Sequence, residues 1–230
     1  MEKVLDDLRP QMENDIMLRK TEILFLRGLL PETEDEDSRY FRSLLVMLYA
    51  HLEGHVKEML LLYVNYLNGL ELRIKDANVN LRLTALEDYI QRYDNIDANS
   101  ILLRKRKLSK DSYEYKNTLT QVYELEEEVL RVHEKHISFK SNISVSEVKR
   151  IFFKLGIIHE DELLLMSERL NNIAKRRHNI AHGNVRAGVK KLEYEQYEKY
   201  VHDVMAELVS VIYYNMAYKK YLKDNLLVAG

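Results

Sequence analysis

Cysteine is absent from this 230-residue chain, and glycine and proline are scarce, with seven and two residues. Without cysteine the chain has no disulfide framework, no thiolate metal site and no thiol nucleophile. So little glycine and proline does not suit a turn-rich β-sandwich. Any catalytic chemistry must therefore use histidine, arginine, carboxylate or hydroxyl groups.

A strong charge of one sign and long apolar runs are also missing. The chain has 35 Lys and Arg against 37 Asp and Glu, so any nucleic-acid contact must use a local patch rather than a whole-molecule field. No stretch of about 18 apolar residues is present, and the first ten residues lack the basic start and apolar run of a signal peptide. We expect a cytoplasmic protein that makes no membrane contact.

The chain does contain the composition of long amphipathic helices, with 46% apolar and 31% charged residues. Helical apolar spacing extends from about Val4 to Leu30, and a second helix is predicted from the candidate N-cap Ser38 to Gly69. Its apolar residues recur at steps of three and four: Phe41, Leu45, Leu48, Leu52, Val56, Met59, Tyr63 and Tyr66. We predict an all-α bundle in a single domain, residues 1–230.

Residues 70–130 are the least regular part of the chain and are interpreted as a loop-rich insertion. A helix is predicted around Leu83–Tyr93, and another over residues 120–136. Downstream, Ser144 precedes Glu147 by three residues, which is the spacing of a capping box, and Gly156 is expected to end that helix.

The penultimate helix has an arginine in its apolar stripe. The stripe alternates steps of three and four through Leu163, Met166, Leu170, Ile173, Arg177 and Ile180. A guanidinium on a core-facing position costs several kcal/mol unless a partner, a ligand or a water-filled cleft meets its charge. Arg177 is therefore either paired within the protein or functional.

His182 follows Arg177 by five residues and precedes Gly183. The C-terminal end of a helix favours the imidazolium form of such a histidine. Five residues advance about 500° around a helix, so the two side chains lie about 140° apart and do not converge on one atom. A second subunit related by a two-fold axis brings an Arg and a His from each chain to one cleft. We therefore expect a homodimer.

The string RRHNIAHG at 176–183 resembles the signature of the HEPN superfamily (higher eukaryotes and prokaryotes nucleotide-binding). In that signature an Arg followed by a polar residue, here Arg177 and His178, is separated from a later His by four to six intervening residues, and here the four residues 178–181 lie between Arg177 and His182. The segments 49–67 and 152–157 are also similar to HEPN proteins found beside restriction, abortive-infection and toxin genes. The resemblance covers residues 39–68 and 145–222 and implies an all-α HEPN bundle.

The resemblance implies a metal-independent endoribonuclease that acts as a dimer, needs no cofactor and serves in toxin or antiphage defence. In this interpretation His182 transfers protons and Arg177 neutralises the charge on the phosphorane. His178, Asn179 and Glu53 are expected to shape the cleft, and Gly54 to allow close helix packing. Phosphate contacts are expected from six basic residues: Lys175, Arg176, Arg104, Lys105, Arg106 and Lys107.

Other interpretations stay open at this point. Arg177 and His182 could form a structural polar network, and His178 with His182 could bind a metal, although no third ligand is evident. Glu53 and its neighbours His51 and His55 could be exposed polar residues between apolar ridges. The basic residues around Arg104–Lys107 could form a solvated loop. As a whole, the chain could be a noncatalytic HEPN module that binds RNA, nucleotide or an antitoxin or restriction partner, or a helical adaptor.

Overall fold

The computed structural model is helical almost throughout, which confirms the all-α prediction. It describes residues 2–29, 37–96, 123–139, 143–157, 160–181 and 188–224. The helices and strands are α1 (Glu2–Gly28), β1 (Asp37–Ser38), α2 (Arg39–Gly69), α3 (Val79–Ile96), α4 (residues 123–127), α5 (Val145–Lys154), α6 (Glu160–Ala181), β2 (Val189–Lys190) and α7 (Lys191–Ala217). No described helix has the length and apolar content that crossing a lipid bilayer requires.

The chain folds into two compact units. The first consists of Met1–Tyr63, Ile137–Arg150 and His159–Tyr218, and the second of Val64–His136, Ile151–Ile158 and Lys219–Gly230. The first unit therefore holds α1, most of α2, α6 and α7, whereas the described part of the predicted insertion lies in the second. A single domain over the whole chain stays a prediction.

The core follows the predicted apolar stripes. Every residue of the α2 stripe is buried, from Phe41 to Tyr66, and so are Val201, Val204 and Leu208 of α7. Each such side chain contributes about 1.5–3 kcal/mol when it leaves water. The helical spacing read from the sequence is thus the spacing that builds the core.

Two contacts fix α7 within the first unit. Strand β1 pairs antiparallel with β2, with Asp37 opposite Lys190 and Ser38 opposite Val189, so the starts of α2 and α7 lie side by side. Arg27 near the end of α1 donates from Nη2 to Glu195 (2.6 Å) and from Nη1 to Glu198 (3.2 Å) of α7. The first and last long helices are therefore neighbours in this unit.

In the second unit, the prediction of one helix over residues 120–136 is wrong. Helix α4 ends at residue 127, and a short 3₁₀ helix, Glu134–Ile137, follows after an extended stretch. In that stretch Ile74 donates its backbone N–H to the Glu128 carbonyl (3.0 Å) and Leu130 donates to the Leu72 carbonyl (2.6 Å). This pairing with a distant segment satisfies the backbone groups that a continued helix would have used.

The predicted start and end of α5 are confirmed. Glu147 donates its backbone N–H to Ser144 Oγ (3.2 Å), as an N-cap requires. In the second unit Gly156 adopts φ +65°, a left-handed conformation that favours glycine. A Cβ at this position would collide with the Asn78 side chain, which donates to the Gly156 carbonyl (3.0 Å).

Candidate functional site

Helix α6 carries the arginine that the sequence analysis singled out. Leu170 and Ile173 of its stripe are buried, and Arg177, the next member, is only half-buried. The stripe therefore leads from the core of the first unit towards solvent at the C-terminal end of the helix. Arg177 therefore lies at the edge of the core and is not enclosed by it.

The Arg177 guanidinium lies over the ring of Tyr49 in α2. Its Cζ atom is 5.3 Å from the ring centroid, and Tyr49 is 1% exposed. A cation over an aromatic face is attracted by the negative potential of the ring, and the attraction grows when the pair is partly desolvated. The buried ring thus supports the guanidinium charge at the edge of the core.

Tyr49 is held in place and stays neutral. Its hydroxyl donates to the Ile143 carbonyl at 3.4 Å. Burial, followed by the nearby Glu53 carboxylate, raises the pKa of Tyr49 to about 12, while Arg177 acts in the opposite direction. A phenol with this pKa keeps its proton near neutral pH, so its role towards Arg177 is support and not proton transfer.

Glu53 lies one helical turn beyond Tyr49 and is half-buried. Since Glu53 and Arg177 both act on the Tyr49 phenol, we call these three side chains the Arg177 cluster. The sequence analysis placed Glu53 against the motif helix, and the cluster is compatible with that placement. A direct role for Glu53 in orienting Arg177 or His182 stays a prediction.

The two basic residues before Arg177 differ from each other. Arg176 forms an ion pair with Glu193 of α7, with Nε 2.7 Å from Oε1 and Nη2 donating to Oε2 at 3.2 Å. Lys175 is exposed to solvent. A phosphate would have to compete with Glu193 for Arg176, so Lys175 is the more accessible of the two. Their contact with RNA stays a prediction.

The remaining motif residues approach the end of α6. His178 is exposed, Asn179 is half-buried, and the helix ends at Ala181. His182 lies outside the described residues, and so do the basic residues Arg104, Lys105, Arg106 and Lys107. Within the parts of the chain that the structure describes, no three His, Asp or Glu side chains are grouped to hold a metal ion.

The opposite face of α2 carries a second polar group of residues, which we call the α1–α2 network: Asp15, Arg19 and His55. His55 is fully buried, its Nε2 donates to the Met205 carbonyl (3.1 Å), and its Nδ1 lies 2.6 Å from Asp15 Oδ2. Arg19 binds the same Asp15 oxygen through Nε (2.8 Å). Three elements, α1, α2 and α7, thus meet at one buried histidine.

The network corrects one of the two interpretations of this segment. His51 and His55 are both buried, so the interpretation that they are exposed polar residues is wrong. Arg19 also donates to the His51 carbonyl (3.1 Å), and a Cβ on Gly54 would collide with the Arg19 guanidinium. The space beside Gly54 is occupied by the end of the Arg19 side chain, and the close helix approach predicted for Gly54 stays a prediction.

Tyr49 is the member of the cluster that sequence reasoning missed. It lies beside the predicted apolar stripe of α2 and four residues before Glu53, hence on the same face of the helix. That position was the only signal in the sequence, and it does not distinguish a core tyrosine from one that supports a cation. Its partner is 128 residues away in the chain, so no local pattern connects the two.

One protein family matches most of the chain. Residues 8–221, which include all of α2, α6 and α7, match the family described as HEPN_MAE_28990-like HEPN. No curated protein and no solved structure matches the chain. The family match covers most of the sequence and includes the RRHNIAHG segment in full. The chain therefore belongs to the HEPN family.

Proposed function

We propose that this HEPN protein is a metal-independent endoribonuclease in which Arg177 and His182 act on the scissile phosphate. The observation that carries the proposal is the position of Arg177, a half-buried residue whose guanidinium lies on the face of the Tyr49 ring near the C-terminal end of α6. A guanidinium matches the geometry of phosphate oxygens. The segment RRHNIAHG that carries Arg177 lies within the residues that match the HEPN family.

The reaction fits the side chains of the motif. The ribose 2′-oxygen attacks phosphorus and loses its proton, the bond from phosphorus to the 5′-oxygen breaks, and the 5′-oxygen gains a proton. The products are a 2′,3′-cyclic phosphate and a 5′-hydroxyl. His182 is assigned to proton transfer, and Arg177 to the negative charge that grows on the phosphorane. DNA lacks the attacking 2′-hydroxyl, so RNA is the substrate.

The proposal includes a homodimer whose cleft receives an Arg and a His from each subunit, with Lys175 as a phosphate contact. A role in toxin or antiphage defence is the biological setting that we infer for such an enzyme. The competing function is a noncatalytic module that binds RNA, nucleotide or a partner protein. Such a module would bind RNA at the Arg177 cluster but would not cleave it.

Cleavage of RNA in EDTA by the purified full chain tests the proposal. We expect products with cyclic phosphate ends, and loss of cleavage in Arg177→Ala and in His182→Ala. Arg169→Ala is the matched control, because Arg169 lies on the same helix, 5.9 Å above the Tyr200 ring, with its Nη1 3.2 Å from Asp203. This control should cleave as the wild type does.

Three results would contradict the nuclease. Binding without cleavage on diverse RNAs supports the noncatalytic module. Cleavage only with added divalent metal points to a metal site instead. Cleavage that survives in both Arg177→Ala and His182→Ala assigns the chemistry to other residues.

A further inference from the structure

The C-terminal half of α1 is apolar on both sides. Ile23 faces the core and is buried, yet five large apolar side chains on the other side are 58 to 65% exposed. We call these the outer α1 face: Met17, Leu18, Leu24, Phe25 and Leu29. Polar residues, among them Thr21 and Glu22, share this half of the helix, but a group of exposed apolar side chains of this size marks an interaction site.

The outer α1 face has the shape of two ridges with a groove between them. Met17 and Leu24 form one ridge and Leu18 and Phe25 the other, each pair seven residues apart. Between them lie Thr21 and Gly28, and a Cβ built on Gly28 meets nothing within 4 Å. Helices pack by fitting the ridges of one into the grooves of the other. A surface that carries both features is complementary to itself, as a two-fold interface requires.

The apolar area that two outer α1 faces would bury is also sufficient for a specific contact. Side chains of this size expose on the order of 150–200 Å² each when nothing covers them. At the observed exposed fractions, two such faces together remove about 1,000 Å² from water, which is the lower bound for specific protein interfaces. A pair of these faces therefore reaches the size of a real contact.

The charges of α1 select the direction of packing. The described exposed charges of its N-terminal half are Asp6, Asp7, Arg9 and Glu13, so acidic groups outnumber basic ones there. A parallel pair would bring these acidic halves together, and like charges at close range repel. An antiparallel pair overlaps the halves that carry the apolar side chains, where Glu22 is the exposed acidic residue.

We propose that the outer α1 face binds the same face of a second copy of this chain, in an antiparallel two-fold contact. This contact involves neither Arg177 nor His182, so it is a second two-fold contact beside the dimer of the proposed nuclease. Substitutions on the outer α1 face should remove the α1 contact alone, which distinguishes the two. The mass of the protein in solution tests this contact, and the measurement does not require RNA cleavage.

The test is the mass of the full chain by sedimentation or light scattering at micromolar concentration. We expect wild type to associate, and Leu18→Glu and Phe25→Glu each to halve the observed mass, with at least a 100-fold increase in the dissociation constant, since each two-fold interface would contain two buried charges. Leu192→Glu is the control, because Leu192 is 79% exposed on α7, outside this face. It should associate as the wild type does.

A cysteine pair gives a second measurement that does not depend on the glutamate variants folding. The natural chain has no cysteine, so Thr21→Cys introduces a single thiol in the groove, and Leu192→Cys the matched thiol elsewhere. Mild oxidation should join two Thr21→Cys chains and leave Leu192→Cys chains separate. A monomeric wild type, glutamate variants with the wild-type mass, or equal cross-linking at both sites would overturn the proposal.

Discussion

Charged side chains contact α2 at His55 on one face and at Tyr49 on another, and the two sets of contacts differ. On one face His55 lies fully buried between Asp15 and the Met205 carbonyl, with both ring nitrogens in contact inside the protein. On the other face Tyr49 offers only its ring to Arg177, and the guanidinium is half-buried. The α1–α2 network is joined by short hydrogen bonds and ion pairs, whereas the contact between Arg177 and Tyr49 is with the face of an aromatic ring.

Under the proposed function, the charges of the α1–α2 network serve the structure and the charge of Arg177 serves the reaction. A buried charge whose partners are all internal holds helices in one arrangement, and breaking it is strongly destabilising. A cation supported by an aromatic face at the surface contributes little to folding but can meet an incoming phosphate. The two faces should therefore respond in opposite ways to substitution, one in stability and the other in activity.

The largest effect is expected for Arg177→Ala. Removing the group that stabilises the charge of the transition state should lower kcat for RNA cleavage by about 10²–10³-fold. The free energy of unfolding should fall by no more than about 2 kcal/mol, which is the upper value for the lost contact with the Tyr49 ring. Single-turnover cleavage and urea unfolding measure the two quantities. A loss of several kcal/mol of stability would place Arg177 with the structural residues.

The next effect is on stability, for Asp15→Ala. Removal of the carboxylate leaves Arg19 and His55 without it in a partly buried site, which should cost about 2–4 kcal/mol in urea unfolding. Cleavage per folded molecule should stay at the wild-type level. Glu13→Ala is the control, because its ion pair with Arg9 is exposed to solvent and should contribute little to stability. Equal losses in the two variants would contradict a closed network.

A smaller effect distinguishes the Tyr49 ring from its hydroxyl. Tyr49→Phe keeps the ring beneath Arg177 and should cleave RNA within about twofold of wild type. Tyr49→Leu removes a cation–π contact of about 0.5–2 kcal/mol and should slow cleavage by about 3–30-fold. The ratio of the two rates under single-turnover conditions measures the effect. A Phe variant as slow as the Leu variant would assign the role to the hydroxyl.

The smallest effect is a dependence of stability on pH. Burial lowers the pKa of His51, His55 and His202, all in the first unit. Unfolded histidine titrates near 6.5, so below that pH the unfolded chain binds more protons than the folded one and stability falls. Urea unfolding at pH 7.5 and 5.5 should show the loss, and His202→Gln should reduce it. Greater stability at pH 5.5 would contradict the direction.

Periodicity was enough to predict most of the fold. The α2 stripe, the α5 cap at Ser144 and the end of that segment at Gly156 follow from rules that act within a few residues. The same rules failed at residues 128–133, because Ile74 and Leu130 take part in pairing between segments more than 50 residues apart. Local propensity cannot anticipate a backbone partner at that distance.

The site was predictable to a similar extent. Arg177 stood out because a charge occupied an apolar position, and that signal is contained in one helix. The contacts of Tyr49 with Arg177 and of Asp15 with His55 did not stand out, because each joins two different helices and the sequence does not show which helices are neighbours. The role of His55 was equally hidden, since a buried and an exposed histidine occupy the same kind of position in the sequence.

The pairing of α1 with α7 affects how the protein is made. Arg27 and strand β1 find their partners about 150 or more residues later in the chain, so these contacts cannot form while the ribosome is still adding the middle of the protein. Contacts between distant segments are slow to close, and the apolar surfaces involved stay uncovered in the meantime. We expect a nascent chain that stops before α7 to be recognised by chaperones, and its release from them to coincide with the synthesis of that last long helix.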